Sequence, residues 1–217
     1  MLLETLTAGA VIVGRTVDGR TLRPHALGVG APRVLVVGCI HGTECAGVAI
    51  VRRLERECAG GTGRIWVLPN LNPDGYERSV RQNAHGVDLN RNFPWAWRPS
   101  GRRWDPEYPG PRPASEPETR AAMRIIRIVR PEVTIWYHQP LALVRAWGRS
   151  VGAARRYARV ARTRFRRLPW LAGTAPNWQN HVFAGTASFV VELAQGHLDP
   201  AAVERHARAV ETLAGGC

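Results

Sequence analysis

At 217 residues, 45% hydrophobic and 22% charged, the chain is long enough to bury one sizeable core and has the composition of a globular protein. All 30 basic residues are arginine, set against 17 acids for a formal net charge of +13. The absence of lysine excludes Schiff-base and P-loop chemistry, which both need an amine. No apolar run approaches the roughly 18 residues that span a bilayer. Met1 to Gly14 shows no basic segment leading into an apolar one, so no secretory leader is read there. Cys39, Cys45, Cys58 and Cys217 form no CxxC pair. They are therefore expected as reduced, buried thiols in a cytoplasmic protein, with Cys39 or Cys45 placed behind the motif they flank.

In chain order, Arg33–Ile40 (RVLVVGCI) is a short β-branched run of the kind buried on both faces of a sheet. HGTECAG follows. Then VAIVRRLERE places Val48, Val51 and Leu54 at helical spacing. Arg64–Leu68 predicts a second strand, closed by the turn-rich NLNPDG. Pro94–Pro113 holds six prolines and reads as a loop. Ser115 stands as N-cap of a helix with Pro117 in its first turn and Glu118 three residues on, a capping-box arrangement. That helix runs to about Arg130 and stops at Pro131.

A strand at Val133–Tyr137 comes next, then a helix at Val151–Arg167 and a loop at Pro169–Thr186. A strand at Ser188–Leu193 and a helix at Pro200–Ala214 complete the chain. Strands alternating with helices predict a single α/β domain over residues 1–217. Its sheet is mixed, largely parallel and twisted, with helices on both faces. No internal repeat or linker interrupts it.

Polar residues of interest fall where buried strands end. His41 follows RVLVVGCI, His138 follows VTIWY, and Glu192 lies near the end of SFVVEL. Sites in open α/β sheets gather at such ends, and an unpaired buried polar group costs about 1–3 kcal/mol. His41 and Glu44 form H-x-x-E at the expected start of a helix, so an imidazole and a carboxylate can face one cation. Two histidines and a carboxylate with a fourth place for water are a recognised catalytic zinc set. H-x-x-E alone is a weak signal.

The motifs that follow it are more specific. N-P-D-G at Asn72–Gly75, R-Q-N at Arg81–Asn83, G-V-D-L-N-R-N-F-P at Gly86–Pro94 and S-E-P-E-T at Ser115–Thr119 occur in that order. With His138 and the V-E-L around Glu192, they make the chain resemble the zinc metallocarboxypeptidases. The likeness is to their short bacterial branch, which includes the murein peptide amidases, and it runs from about Arg15 to the C-terminus.

The resemblance implies one Zn2+ held by His41, Glu44 and His138, and hydrolysis of an amide beside a free carboxylate by metal-activated water. Glu192 matches the general base and Arg81 the arginine that polarises the scissile carbonyl. Asn90 and Arg91 match the pair that grips the substrate carboxylate. SEPET is read as a helix start. His85, His181, His197 and His206 have no ligand-like spacing and are expected at the surface.

The residues leave other readings open. Arg78 lies one turn from Arg81, Asn90 is able to cap a turn, and Asp88 is able to pair with Arg91. The chain departs from the digestive-type pattern in having no Tyr between Leu168 and Val191, where a substrate-closing tyrosine is expected. From Val133 to Val191 there is no acid, while nine arginines fall between Arg145 and Arg167. Substrates ending in Lys or Arg are therefore expected to be poor and multiply carboxylated ones favoured, a γ-D-glutamyl-diaminopimelate peptide fitting that description. Alternatively, these arginines line the solvated face of one helix.

The expected partner is a small peptide with a free carboxylate, with no specific nucleic acid and no membrane; oligomeric state is left open. The alternatives are an N-acyl amino acid deacylase of the desuccinylase or aspartoacylase type, a basic nucleic-acid binder, and a metal-free family member that only binds.

Overall fold

The computed structural model describes residues 10–28 and 30–217, and no side chain is described for residues 62 and 63. Residues 1–9, which carry most of the leaderless N-terminal reading, lie outside it. A small hairpin pairs β1 (Gly14–Arg15) with β2 (Thr21–Leu22). The main sheet is built from β3 (His25–Gly28), β4 (Val34–Val37), β5 (Thr62–Leu68), β6 (Val133–His138), β7 (Leu141–Ala146), β8 (Arg164–Arg167) and β9 (Ala187–Ala194). Their spatial order is β3-β5-β4-β6-β9-β7-β8. The middle is parallel, β5 to β4 to β6 to β9, while β3 and β7 run antiparallel to their inner neighbours β5 and β9. The mixed, largely parallel α/β sheet expected from the sequence is what forms.

Two apolar layers sandwich it. One face carries α1 (Gly47–Glu57), α4 (Val151–Val160) and α6 (Pro200–Ala214), with Ile50, Leu54, Tyr157 and Val210 against Val36, Ile135 and Val191. The other carries α3 (Pro117–Val129) and α5 (Ala175–Val182), with Ile125, Ile126 and Trp178 against Leu35, Trp136 and Val190. Every residue of β4 is buried because both faces are covered, which is why it reads as an uninterrupted apolar run.

Several sequence expectations need correction. The strand expected at Arg33–Ile40 spans Val34–Val37, and α1 starts at Gly47, so His41 and Glu44 sit on the loop between them. NLNPDG contains a short helix, α2 (Pro73–Glu77), capped by the Asn72 side chain. Glu116, not Ser115, is the N-cap of α3, and it makes no capping bond. Ser115 Oγ donates instead to Glu116 Oε1 at 2.6 Å.

The Val151–Arg167 helix ends at Val160, and Arg164–Arg167 forms the edge strand β8. The Pro169–Thr186 loop contains α5. The cysteines are not thiols: Cys39 bonds Cys45, and Cys58 bonds Cys217. Among the described residues no helix is long and apolar enough to cross a membrane.

Candidate active site

The loop from Gly38 to Ala46 delivers the first two ligand candidates, and backbone packing fixes its course. Gly42 N donates to Arg81 O at 3.2 Å, and a Cβ on Gly42 would lie 2.1 Å from the Gly75 carbonyl carbon. Asn72 ties the same region together. Its Oδ1 accepts from Gly75 N at 3.0 Å, and its Nδ2 donates to the Arg81 and Gln82 carbonyls at 3.2 Å each. N-P-D-G and R-Q-N are thus the floor on which H-x-x-E rests. The Cys39–Cys45 disulfide closes the loop around His41 and Glu44.

His138, the last residue of β6, faces Glu192 across the parallel pair β6–β9. His41 Nδ1 lies 2.9 Å and His138 Nδ1 3.0 Å from the same oxygen, Glu44 Oε2. One potential ligand atom from each of the three falls within 4.8 Å of the others. Asp88 Oδ1 accepts from His41 Nε2 at 2.8 Å, so Nδ1 is the ring nitrogen turned toward Glu44. The three donors fit zinc: two imidazoles and one carboxylate, with a carboxylate oriented behind one ring. Glu192 Oε2 is buried with no hydrogen-bond partner. A buried acceptor in that state has a role that the apolar core does not supply.

Charge is tightly balanced here. Burial favours a neutral Glu44, yet His138 and His41 hold its carboxyl far below the usual carboxylate range. Asp88 is likewise fully buried and held low, chiefly by His41 and Arg81. Burial opposes charge on His41, but Asp88 and Glu44 keep its pKa above the ordinary value. His138 is lowered to about 4, mainly by burial. Glu192 moves the other way: burial first, then the charge of Glu44, raises its pKa.

Arg81 reaches the cluster, its Nη1 on Glu44 Oε1 and its Nη2 3.0 Å from Asp88 Oδ2. Arg78 points away to Asp18 at 2.8 Å. Asn90 is no simple turn cap. Its Oδ1 accepts from Ala175 N at 2.9 Å, and its Nδ2 lies 3.3 Å from His138 Nε2. Arg91 pairs with Glu107 rather than with Asp88.

One cavity is lined by Glu44, Arg81, Asn90, Arg91, His138 and Glu192, so six of the seven sequence-predicted site residues open onto it. His41 stands fully buried behind them. Sequence reading missed Asp88 as the partner of His41, because nothing in a one-dimensional pattern joins residues 41 and 88. It also missed Arg145 as a pocket residue; only the acid-free stretch hinted at it. SEPET is structural, as read: Glu116 and Glu118 accept from Asn83 Nδ2 at 2.7 and 3.0 Å. His85, His181 and His197 are exposed as expected, but His206 is buried against Tyr157.

A model of the zinc carboxypeptidase family matches residues 2–187, most of the chain. The chain belongs to the zinc carboxypeptidase family. Murein peptide amidase A of Escherichia coli K12 is 34% identical over 121 residues, covering 51% of this chain and 50% of that protein. Human carboxypeptidase Z is 38% identical over 114 residues, covering 38% of this chain and 18% of that protein. The chain thus spans about half the length, or less, of these curated relatives.

The crystal structure of murein-tripeptide amidase MpaA from Escherichia coli O157 superposes with a TM-score of 0.76 at 25% identity, covering 95% of this chain and 91% of that one. The family match stops at residue 187, so Glu192 lies beyond it; its place on β9, opposite His138, brings it to the same cavity.

Proposed function

We propose that this chain is a zinc-dependent carboxypeptidase that hydrolyses an amide bond next to a free carboxylate. In this reading a cell-wall peptide such as γ-D-glutamyl-diaminopimelate is the substrate. The carrying observation is the His41–Glu44–His138 donor set beside a cavity lined by Glu44, His138 and Glu192, whose Oε2 is buried and unpartnered. His41, Glu44 and His138 would hold one Zn2+ per chain. When bound, zinc supplies a Lewis acid that brings the pKa of water from about 16 to about 7.

The chain's own groups do the rest. Glu192 takes a proton from the attacking water at Oε2 and returns it to the leaving nitrogen, a role suited by its raised pKa. Arg81 leans from the Glu44–Asp88 carboxylates toward the pocket and stabilises the developing oxyanion, a contribution of about 3–4 kcal/mol for one well-aimed donor. The Arg91 guanidinium, with the Asn90 amide beside it, takes the substrate's carboxylate through its planar fork. Arg91 already engages a carboxylate, that of Glu107, which a substrate carboxylate would displace.

Elemental analysis of wild type and His138→Ala, with hydrolysis of a muropeptide tripeptide followed in parallel, tests the reading. About one zinc per chain, lost together with activity in the variant, is expected. Zinc retained in full by the variant would remove His138 from the ligand set. Bound zinc without tripeptide cleavage would move the substrate to other peptides or to acyl amino acids.

A further inference from the structure

Arg145 sits on β7 in register with Val190 of β9. Its side chain lines the cavity, as do Trp170, Leu171 and Thr174. Nη2 donates to Pro169 O at 2.6 Å, and the guanidinium lies 5.9 Å from the Trp170 ring centroid. Nε is buried and has no partner. Among the described residues, Arg145 makes no ion pair. Val133–Val191 contains no acid, and Glu192, an acid that lines the same cavity, does not bond it. Burial holds its pKa below the ordinary value, Glu192 opposes that, and Arg91 adds to it. A partly desolvated cation with a spare donor in the wall of a cavity is costly while that donor stays unpaired and favourable to an anion that pairs with it.

Resting on the carboxypeptidase reading above, we infer that Arg145 is a specificity determinant of this site. It takes a second carboxylate, carried by the side chain of the departing C-terminal residue. Arg91 and Asn90 would then hold the main-chain carboxylate and Arg145 the side-chain one, so two fixed guanidinia measure the spacing of a dicarboxylic residue. A neutral side chain leaves Arg145 Nε unpaired, and a cationic one meets like charge. Of the nine arginines between Arg145 and Arg167, this is the one that lines the cavity.

The test compares zinc-loaded protein on peptides identical except for a C-terminal Glu or Gln, in both the L and the D series. Wild type is expected to favour Glu over Gln by about tenfold or more in kcat/KM, since a site built around a charged donor rejects an analogue that leaves it unpaired. In Arg145→Gln that ratio falls to about one, and in Arg145→Glu a C-terminal Lys peptide overtakes Glu. Equal use of Glu and Gln by wild type, or a ratio unchanged in Arg145→Gln, overturns the inference.

Calorimetric binding of racemic N-acetylglutamate against N-acetylglutamine, on wild type and Arg145→Lys, separates this from the parent reading. If no peptide is cut but N-acetylglutamate binds about tenfold tighter, the carboxypeptidase reading fails and Arg145 stands. If both bind alike, Arg145 merely props Pro169. Arg145→Lys keeps the charge and is expected to retain part of the preference, so a folding defect in Arg145→Gln does not protect the inference.

Discussion

Asp88 illustrates how much of this site depends on single residues that bind no substrate. It is fully buried, accepts from His41 Nε2 through one oxygen, and faces Arg81 with the other. Its Oδ1 also accepts from Asn90 N at 2.8 Å, so one carboxylate orients His41, Arg81 and Asn90 together. Neutralising it lowers the basicity of His41 and leaves Arg81 with Glu44 as its one carboxylate partner. Asp88→Asn keeps the shape and an acceptor for His41 while removing the charge. Metal affinity is expected to fall about 10–100-fold, the range for groups that orient a metal-bound histidine, when read by competition with a chromogenic chelator. An affinity within twofold of wild type would reduce Asp88 to a packing role. Glu192 shows the complementary case: its buried partnerless oxygen is informative because both oxygens of Glu44 and both of Asp88 are matched.

At the scale of elements, the site is a set of loops held by backbone contact, and that contact makes its own prediction. Gly42→Ala would set a Cβ 2.4 Å from both Gly75 O and Tyr76 N, backbone against backbone, with no flexible side chain to give way. The loop carrying His41 and Glu44 must then lift off α2. A loss of about 3 kcal/mol, or about 6 °C or more in Tm for a chain of this length, is expected together with weakened metal binding. A Tm within one degree of wild type would mean that the loop is far softer than its contacts imply.

The same contrast between local and tertiary forces explains what was legible beforehand. β4 and α6 announce themselves by an apolar run and by a Pro-initiated amphipathic stretch; α6 is found at Pro200–Ala214, as read. α5 does not. Ala-Pro-Asn-Trp-Gln-Asn-His-Val is a poor helix sequence, and its place comes from long-range bonds. Asn90 Oδ1 accepts Ala175 N, Gln179 Nε2 donates to Thr134 Oγ1 at 2.9 Å, and Asn180 exchanges bonds with Ser188 at 2.8 and 2.9 Å. β8 hides differently. Arg-Phe-Arg-Arg continues a helical pattern, but Arg162 turns into the left-handed region at φ 51° and the chain pairs with β7 instead. Three arginines on that edge strand also discourage pairing with another sheet. The candidate ligands could be read because each stands at a strand end or in a dense motif. Asp88 and Arg145 could not, because their roles exist only once distant segments meet.

For the molecule as a whole, the two faces of the sheet do different work, and the face remote from α3 holds a titratable group that no surface reading would find. His206 on α6 accepts from Tyr157 of α4 through Nδ1 at 2.7 Å, and Tyr157 bonds Tyr137 of β6 at 2.8 Å. This buried chain joins both helices to the strand that ends in His138. Burial, with Arg205 beside it, lowers the His206 pKa from 6.5 to about 4. In the unfolded chain the imidazole protonates near 6.5.

As pH falls from about 6.5 to about 4, the unfolded state therefore takes up a proton that the folded state refuses, and stability falls. Above about 6.5 neither state is charged and nothing is lost; below about 4 both are charged and the loss stops growing. Between pH 7 and pH 5 this one group accounts for about 2 kcal/mol. His206→Asn retains an acceptor near Nδ1 but cannot protonate in this range. In chelator-treated protein, where ligand histidines contribute equally to both samples, urea unfolding at the two pH values is expected to show the variant losing about 2 kcal/mol less than wild type. It should start lower at pH 7 because imidazole packing is gone. Parallel losses in the two proteins would mean that His206 protonates freely in the fold, and that the contact between α4 and α6 opens to water far more readily than its burial suggests.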